Sequence, residues 1–272
     1  MNPILYFLAA IAVPLSRLFL YIFFGLVASI TWLFEFLRKD NQPEPARMVI
    51  KIFIWGAIIT FPVFMIEFGI AQSIGKISLP PIYISILYWF VAIALVEEIF
   101  KYLVVKGKAL KSYAMDEPVD IMIYMVIAAL GFAALENILY LLPPAEKIFS
   151  LNEILTRTVL ISFFRFIGAT FLHALCSGLV GYFSAISICK GKKGRGLVLL
   201  GLLIAIFLHG LYNLSIMEIG MPLKYILPVA ILIGLSIFIT FAFRHLKTMK
   251  SVCKITKKDY GTIKKDKSKR GL

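Results

Sequence analysis

Long apolar runs alternate with short polar connections along the chain. A helix needs about 20 apolar residues to cross the roughly 30 Å hydrocarbon core of a membrane, and the longest runs reach that length. The pattern therefore predicts an all-α fold, a polytopic bundle of seven transmembrane helices at residues 4–36, 48–70, 82–105, 119–142, 158–188, 196–217 and 224–243.

The first run is the least regular, because Pro14 and Arg17 interrupt it. It can form one tilted helix after an interfacial segment, or two short helices. In the second case the bundle has eight spans and the N-terminus lies inside the cell.

Charges in the loops predict the orientation. Lys and Arg residues concentrate after the first, third, fifth and seventh runs and are scarce in the other loops. Cytoplasmic loops of membrane proteins carry an excess of these residues. Seven spans therefore place the N-terminus outside and the C-terminus in the cytosol of a multi-pass protein of the cell membrane.

The composition is that of a membrane protein, and the C-terminal residues differ from the rest of the chain in their high positive charge. The 272 residues are 60% hydrophobic with a mean hydropathy of +0.90, well above soluble domains. Residues 244–272 hold eleven Lys or Arg and two Asp, a net charge of +9. We expect one membrane-embedded domain at 1–243 and a disordered basic tail at 244–272 that binds anionic lipid headgroups. Nucleic acid is not an expected partner, because no folded nucleic-acid-binding module accompanies these charges.

Two adjacent acids, Glu97 and Glu98, stand in the third run, with Lys101 one helical turn further on. An ionised side chain at mid-membrane costs roughly 2.5–3.5 kcal/mol on insertion scales. Lys101 can neutralise one acid on its own helix, so the other needs a partner on another helix or a pool of water. This demand favours a functional site over an ion pair that only sets helix depth.

Later runs supply further polar residues, which are Glu136, Asn137, Arg165, His173, His209 and Asn213. Glu136 lies near the outer end of its run, where it can also snorkel. Arg165 either pairs with Glu136 or serves topology. His209 and Asn213 are spaced i,i+4 and share one helix face, where they can also act as interhelical glue.

Depth raises a question about Glu136. At 1.5 Å per residue, Glu97 lies a few residues cytosolic of the centre of its span, and Glu136 lies outward of its own. The two carboxylates are therefore expected to differ in depth by roughly 10 Å, with His173 and His209 between them. Unless the bundle closes this gap, Glu136 has a supporting role.

Together, the polar residues inside the apolar runs can hydrolyse a peptide bond in two ways. A Glu of the pair can activate water while the imidazoles and Asn213 position it and stabilise the oxyanion, with Lys101 holding the second Glu. Alternatively, Glu98, His173 and His209 can bind a divalent metal such as zinc with a position open for water. The sequence does not separate these mechanisms.

Other activities use similar residues. Chains of Glu and His also relay protons in ion-coupled transporters, and the same fold can serve as a non-catalytic scaffold or immunity protein. The sequence has no HExxH, which excludes a zincin on one helix. Ser177 and His209 form a weak candidate for a serine dyad, because Leu175 stands where a nucleophile elbow has Gly.

The polar residues belong to short motifs that occur in order along the chain: EPxRxxxKxFxxG at 44–56, EExxK at 97–101, Asp120 ahead of GFxxxEN at 131–137, His173 followed by Gly178 and Gly181, and HxxxN at 209–213. This order resembles the PrsW-type intramembrane proteases, within the wider superfamily of CAAX prenyl endopeptidases and CPBP bacteriocin-immunity proteins. CAAX-type relatives end the second motif in His, where this chain has Glu136, as PrsW-like members do. Ile121 stands where the family pattern has Gly.

The resemblance implies an intramembrane endopeptidase that carries Glu97, Glu98, His173 and His209 as its working residues. PrsW-like proteins cleave membrane-anchored anti-sigma factors or process peptides. The expected substrate is therefore a membrane-anchored protein of the anti-sigma-factor or propeptide kind.

Overall fold

The computed structural model describes residues 13–39, 42–110, 112, 114–143 and 149–249, without the side chains at 192, 193 and 195. Every regular element in these ranges is helical. The helices are α1 (Leu15–Leu37), α2 (Ala46–Ile74), α3 (Pro81–Lys108), α4 (Pro118–Leu141), α5 (Leu151–Ile167), α6 (Ala169–Lys190), α7 (Arg195–Met217) and α8 (Leu223–Met249).

Seven of the helical units are long and apolar enough to cross a membrane, with α5 and α6 together forming one unit at Leu151–Lys190. The prediction of an all-α, seven-span bundle is confirmed for the described residues. The part of the first run before residue 13 lies outside them, so one helix or two in that run stays a prediction. Helix α8 continues to Met249, and the rest of the basic tail also lies outside the described residues.

Helix α4 is the centre of the bundle. In its most apolar 18-residue window, 94% of the residues are buried, against 22–39% in the other units. It packs against α6, α2 and α1. The outer helices turn large apolar side chains such as Phe19, Ile54, Phe207 and Ile237 away from the protein, as expected of surfaces in contact with lipid. The intramembrane polar residues singled out in the sequence are therefore enclosed by α4 and the helices that surround it.

Two glycines allow α2 and α4 to cross closely. A Cβ atom on Gly56 would collide with the carbonyl of Ala128, and one on Gly131 would collide with the carbonyl of Phe53. Small residues at a crossing let two helix backbones approach within van der Waals contact. The glycines of the 44–56 and 131–137 motifs thus hold α2 against the helix that carries Glu136.

The predicted fifth span differs in its extent and continuity. The sequence predicts one helix at 158–188, whereas α5 begins at Leu151 after a Ser150 cap and breaks from α6 at Gly168. Gly168 has φ −97° and ψ −93°, outside the helical range, and a Cβ there would collide with the hydroxyl of Tyr212 on α7. This contact was not visible in the sequence, and the break sets the direction in which α6 presents His173.

Candidate active site

Helix α3 changes its winding just before the acid pair. It is α-helical over Pro81–Leu87, π-helical over Tyr88–Leu95 and α-helical again from Val96. In a π-helix each backbone N–H bonds to the carbonyl five residues earlier, and such segments are frequent at functional sites. The change in winding rotates Glu97 and Glu98 relative to the preceding turns, so that both side chains are buried, at 3% and 0% relative exposure.

Lys101 lies between the acids and a histidine. Its Nζ is 2.9 Å from Glu97 Oε2, 2.8 Å from Glu98 Oε1 and 2.8 Å from His173 Nδ1. It also lies 4.6 Å from the centre of the Phe132 ring, at cation–π distance. The ammonium therefore contacts both acids, and all three of its protons have an acceptor.

His173 joins the acid pair to Glu136. Its Nδ1 is 3.6 Å from Glu97 Oε2, and its Nε2 is 2.8 Å from Glu136 Oε2. An ammonium can only donate, so Nδ1 accepts from Lys101 and Nε2 carries the proton that is donated to Glu136. The imidazole spans the depth difference that the sequence indicated between Glu97 and Glu136.

His209 completes the cluster from α7. Its Nδ1 is 2.9 Å from Glu98 Oε1 and its Nε2 is 4.0 Å from Glu97 Oε2. The rings of His173 and His209 are 5.1 Å apart and nearly perpendicular. Glu97, Glu98, His173 and His209 each offer a ligand atom, and these four atoms lie within 4.8 Å of one another.

A second layer of contacts holds Glu136. Arg165 Nη2 is 2.7 Å from Glu136 Oε2, and Arg165 Nε donates to Asn137 Oδ1. The amide of Asn137 donates to Thr170 Oγ1 on α6 and to the carbonyl of Gly25 on α1. Of the two roles considered for Arg165, the structure shows the pairing with Glu136. Asn137 ties α1, α5 and α6 to α4 at this level.

A cavity of about 250 Å³ opens onto one side of the cluster. Its polar lining includes Glu97, Glu136, Arg165, His173 and Asn213. The sequence-predicted residues other than Asn137 thus fall into two groups. These five face the cavity, whereas Glu98, Lys101 and His209 are 0–1% exposed and lie behind it.

Three comparisons with known proteins indicate the family to which this chain belongs. A family model described as PrsW family intramembrane metalloprotease matches residues 44–242. This chain belongs to the PrsW family of intramembrane proteases. The match covers nearly three-quarters of the chain and includes every residue of the cluster. No solved structure gives a significant match.

Curated proteins that are similar to this chain agree with the family model. The chain is 30% identical to Protease PrsW of Geobacillus kaustophilus over 65% of this chain and 71% of the relative. It is 29% identical to Protease PrsW of Oceanobacillus iheyensis over 70% and 79% of the two chains. Protease PrsW of Bacillus subtilis is 26% identical over 84% of this chain and 94% of its own length. The protein is therefore a multi-pass membrane protein of a protease family.

The four clustered residues could hold a metal ion. Two imidazoles and two carboxylates form a donor set that suits a transition metal such as zinc. Within the structure, however, Lys101 already supplies a positive charge to Glu97, Glu98 and His173. Occupation of these ligand atoms by a metal ion would require the ammonium to move away from them.

Sequence reasoning missed Glu67. This acid lies on α2, and its side chain lines the same cavity as Glu97 and His173. The signal was present, because Glu67 is a lone acid inside an apolar run, and intramembrane acids mark functional sites by default. Ser177, considered as a nucleophile, instead lies with its hydroxyl 3.5 Å from Glu98 Oε2.

Proposed function

We propose that this protein is an intramembrane endopeptidase that hydrolyses a peptide bond of a membrane-anchored protein within the cavity lined by α2 to α7. The observation that carries the proposal is the convergence of Glu97, Glu98, His173 and His209, from three helices, to within 4.8 Å. Isolated polar groups are costly inside a membrane. Their collection beside a cavity supports a site that handles water.

Glu97 is the proposed general base. It lines the cavity, whereas Glu98 is fully buried and held by Lys101 and His209. His209 donates its Nδ1 proton to Glu98, which leaves the Nε2 lone pair directed toward Glu97 Oε2 at 4.0 Å. A water molecule between these two acceptors would donate a hydrogen bond to each of them. Glu98 and Lys101 are positioning residues in this arrangement.

In this arrangement the peptide bond is hydrolysed in two steps. Glu97 takes a proton from water as the oxygen attacks the scissile carbonyl carbon, and Asn213 donates to the resulting oxyanion. The C–N bond breaks when Glu97 returns the proton to the leaving amine. His173, held by Lys101 and Glu136, orients the groups around Glu97.

A divalent ion such as zinc would be held by Glu97, Glu98, His173 and His209, and it would supply Lewis-acid activation of water. Asn213 would still donate a hydrogen bond to the oxyanion. The donor set supports both forms of the proposal, and the substrate is expected to be of the anti-sigma-factor or propeptide kind. The basic tail is proposed to be cytosolic and to contact anionic lipid.

Purified protein in liposomes tests the proposal on a library of fluorescent single-span peptides with a randomised segment beside the span. We expect wild-type protein to cleave members of the library. Glu97→Gln, Glu98→Gln, His173→Ala and His209→Ala should each lower turnover by roughly 10²-fold or more. His245→Ala is the matched control, because His245 pairs with Tyr182 away from the cluster.

Retained turnover in Glu97→Gln, His173→Ala and His209→Ala together would refute the proposed site. The two alternative functions, an ion-coupled transporter and a non-catalytic scaffold, stay predictions and can be tested in the same liposomes. A transporter would instead accumulate solute when a pH gradient is imposed, and a scaffold would cleave no peptide at all.

A further inference from the structure

A second cavity lies next to the active-site cavity. It measures about 490 Å³ and runs between α2 and the π-helical part of α3. Phe64, Glu67, Tyr88 and Ile93 line both cavities. The two cavities are therefore adjacent, and together we call them the α2–α3 groove.

One face of α2 forms the length of this groove. The lining residues recur every three or four positions, as one helix face requires, from Thr60 through Glu67 to Gly75. At 1.5 Å per residue, Thr60 and Gly75 are roughly 22 Å apart, and Glu67 lies about 10 Å from Thr60. Glu67 thus stands midway, at the junction of the two cavities, and Gln72, Gly75 and Lys76 line the far end.

Glu67 differs from the other acids of the site in its pairing. Glu97 and Glu98 contact Lys101, and Glu136 contacts Arg165. Glu67 Oε1 is buried and has no hydrogen-bond partner among the described residues. Lys76 lies nine positions further along the chain, about 13 Å by helix rise. A buried acceptor without a donor is costly, so a ligand that brings a positive charge to this point gains binding energy.

We propose that the α2–α3 groove holds the substrate chain in an extended conformation, and that Glu67 is a specificity-determining residue that pairs with a Lys or Arg side chain of the substrate. An extended chain advances about 3.3 Å per residue. Thr60 lines the active-site cavity together with Glu97, and the roughly 10 Å along α2 from Thr60 to Glu67 corresponds to about three residues of an extended chain. The basic residue therefore lies about three positions from the scissile bond. This inference rests on the proposed function.

A reporter peptide that wild-type protein cleaves in liposomes provides the test. Lys, Gln or Glu is placed in turn at each of the five positions on either side of the cleaved bond, and kcat/KM is measured for every peptide. We expect Lys at one position, about three residues from the bond, to be preferred over Gln by roughly tenfold or more. Glu67→Gln should abolish that preference while the Gln peptide is still cleaved, and Glu67→Lys should favour Glu at the same position.

Glu35→Gln is the matched control, because Glu35 is an exposed acid that pairs with Arg38 at the end of α1. It should keep the wild-type preference. An unchanged preference in both Glu67→Gln and Glu67→Lys would overturn the inference and leave the proposed function intact. So would a wild-type protein that shows no preference for Lys at any position. Failure of wild-type protein to cleave any library peptide would instead contradict the proposed function, and this inference with it.

Discussion

Lys101 Nζ lies 2.8 Å from His173 Nδ1, on the side of the imidazole opposite to Glu136. Because an ammonium can donate hydrogen bonds but cannot accept one, this contact fixes the tautomer of His173 and directs its Nε2 proton to Glu136. The same ammonium contacts both acids of the pair. One fully buried lysine thus organises groups from three helices.

Removal of this cation should damage both stability and activity. Lys101→Met leaves Glu97 and Glu98 in a buried site without their cation, and breaking a buried ion pair costs roughly 3–5 kcal/mol. We expect a marked fall in Tm in detergent and loss of peptide cleavage in liposomes. Lys106→Met, on the exposed side of the same helix, should match wild-type protein. A Lys101→Met protein with the Tm and turnover of wild type would contradict the role given to the ammonium.

Metal binding should compete with Lys101. Since the ammonium contacts three of the four possible ligand residues, its removal frees their ligand atoms. We expect zinc to raise the Tm of Lys101→Met by more than it raises the Tm of wild type, because binding to the native state stabilises it. Removal of zinc by a chelator should reverse the shift.

The control for this comparison adds His173→Ala and His209→Ala to Lys101→Met, which removes both imidazole ligands. The zinc-dependent shift should then disappear. Equal zinc-dependent shifts in wild type and Lys101→Met would show that Lys101 does not compete with the ion.

The pair of Arg165 and Glu136 should be energetically coupled. A double-mutant cycle with Arg165→Met and Glu136→Gln is expected to give a coupling of roughly 0.5–3 kcal/mol in the free energy of unfolding. Because Glu136 holds His173, Arg165→Met should lower kcat more than it changes KM.

The exposed pair of Arg38 and Glu35 offers a matched cycle, with side chains 78% and 51% exposed. Its coupling should fall between 0 and about 1 kcal/mol, as for surface ion pairs. Similar couplings in the two cycles would argue against a structural role for the partly buried pair of Arg165 and Glu136.

Close packing of α2 against α4 can be tested at a glycine. Gly131→Ala places a Cβ against the backbone of Phe53, and overpacking of this kind costs roughly 1–3 kcal/mol. We expect a lower Tm. Gly69→Ala on α2 is the control, because its Cβ would meet no atom within 4 Å. A Gly131→Ala protein as stable as the Gly69→Ala protein would mean that the helices can separate without penalty.

Sequence patterns located most of the residues that meet in the candidate site. Apolar runs predicted seven spans, and the rarity of polar groups inside them singled out Glu97, Glu98, His173 and His209, because an ionisable group in lipid is costly wherever it stands. The same rule applies to Glu67, which the sequence analysis overlooked. It lay outside the motifs, and its place beside the cavity depends on how α2 packs against α3.

The sequence by itself determined the membrane-spanning helices and their polar residues, since length and apolarity are local properties of a helix. Only the tertiary structure decided which residues meet. The π-helical turns at Tyr88–Leu95, the break at Gly168 and the close crossing at Gly131 set the register of each helix. Helix register governs contacts among distant residues, so the bridge from Lys101 through His173 to Glu136 exists only after the helices have packed.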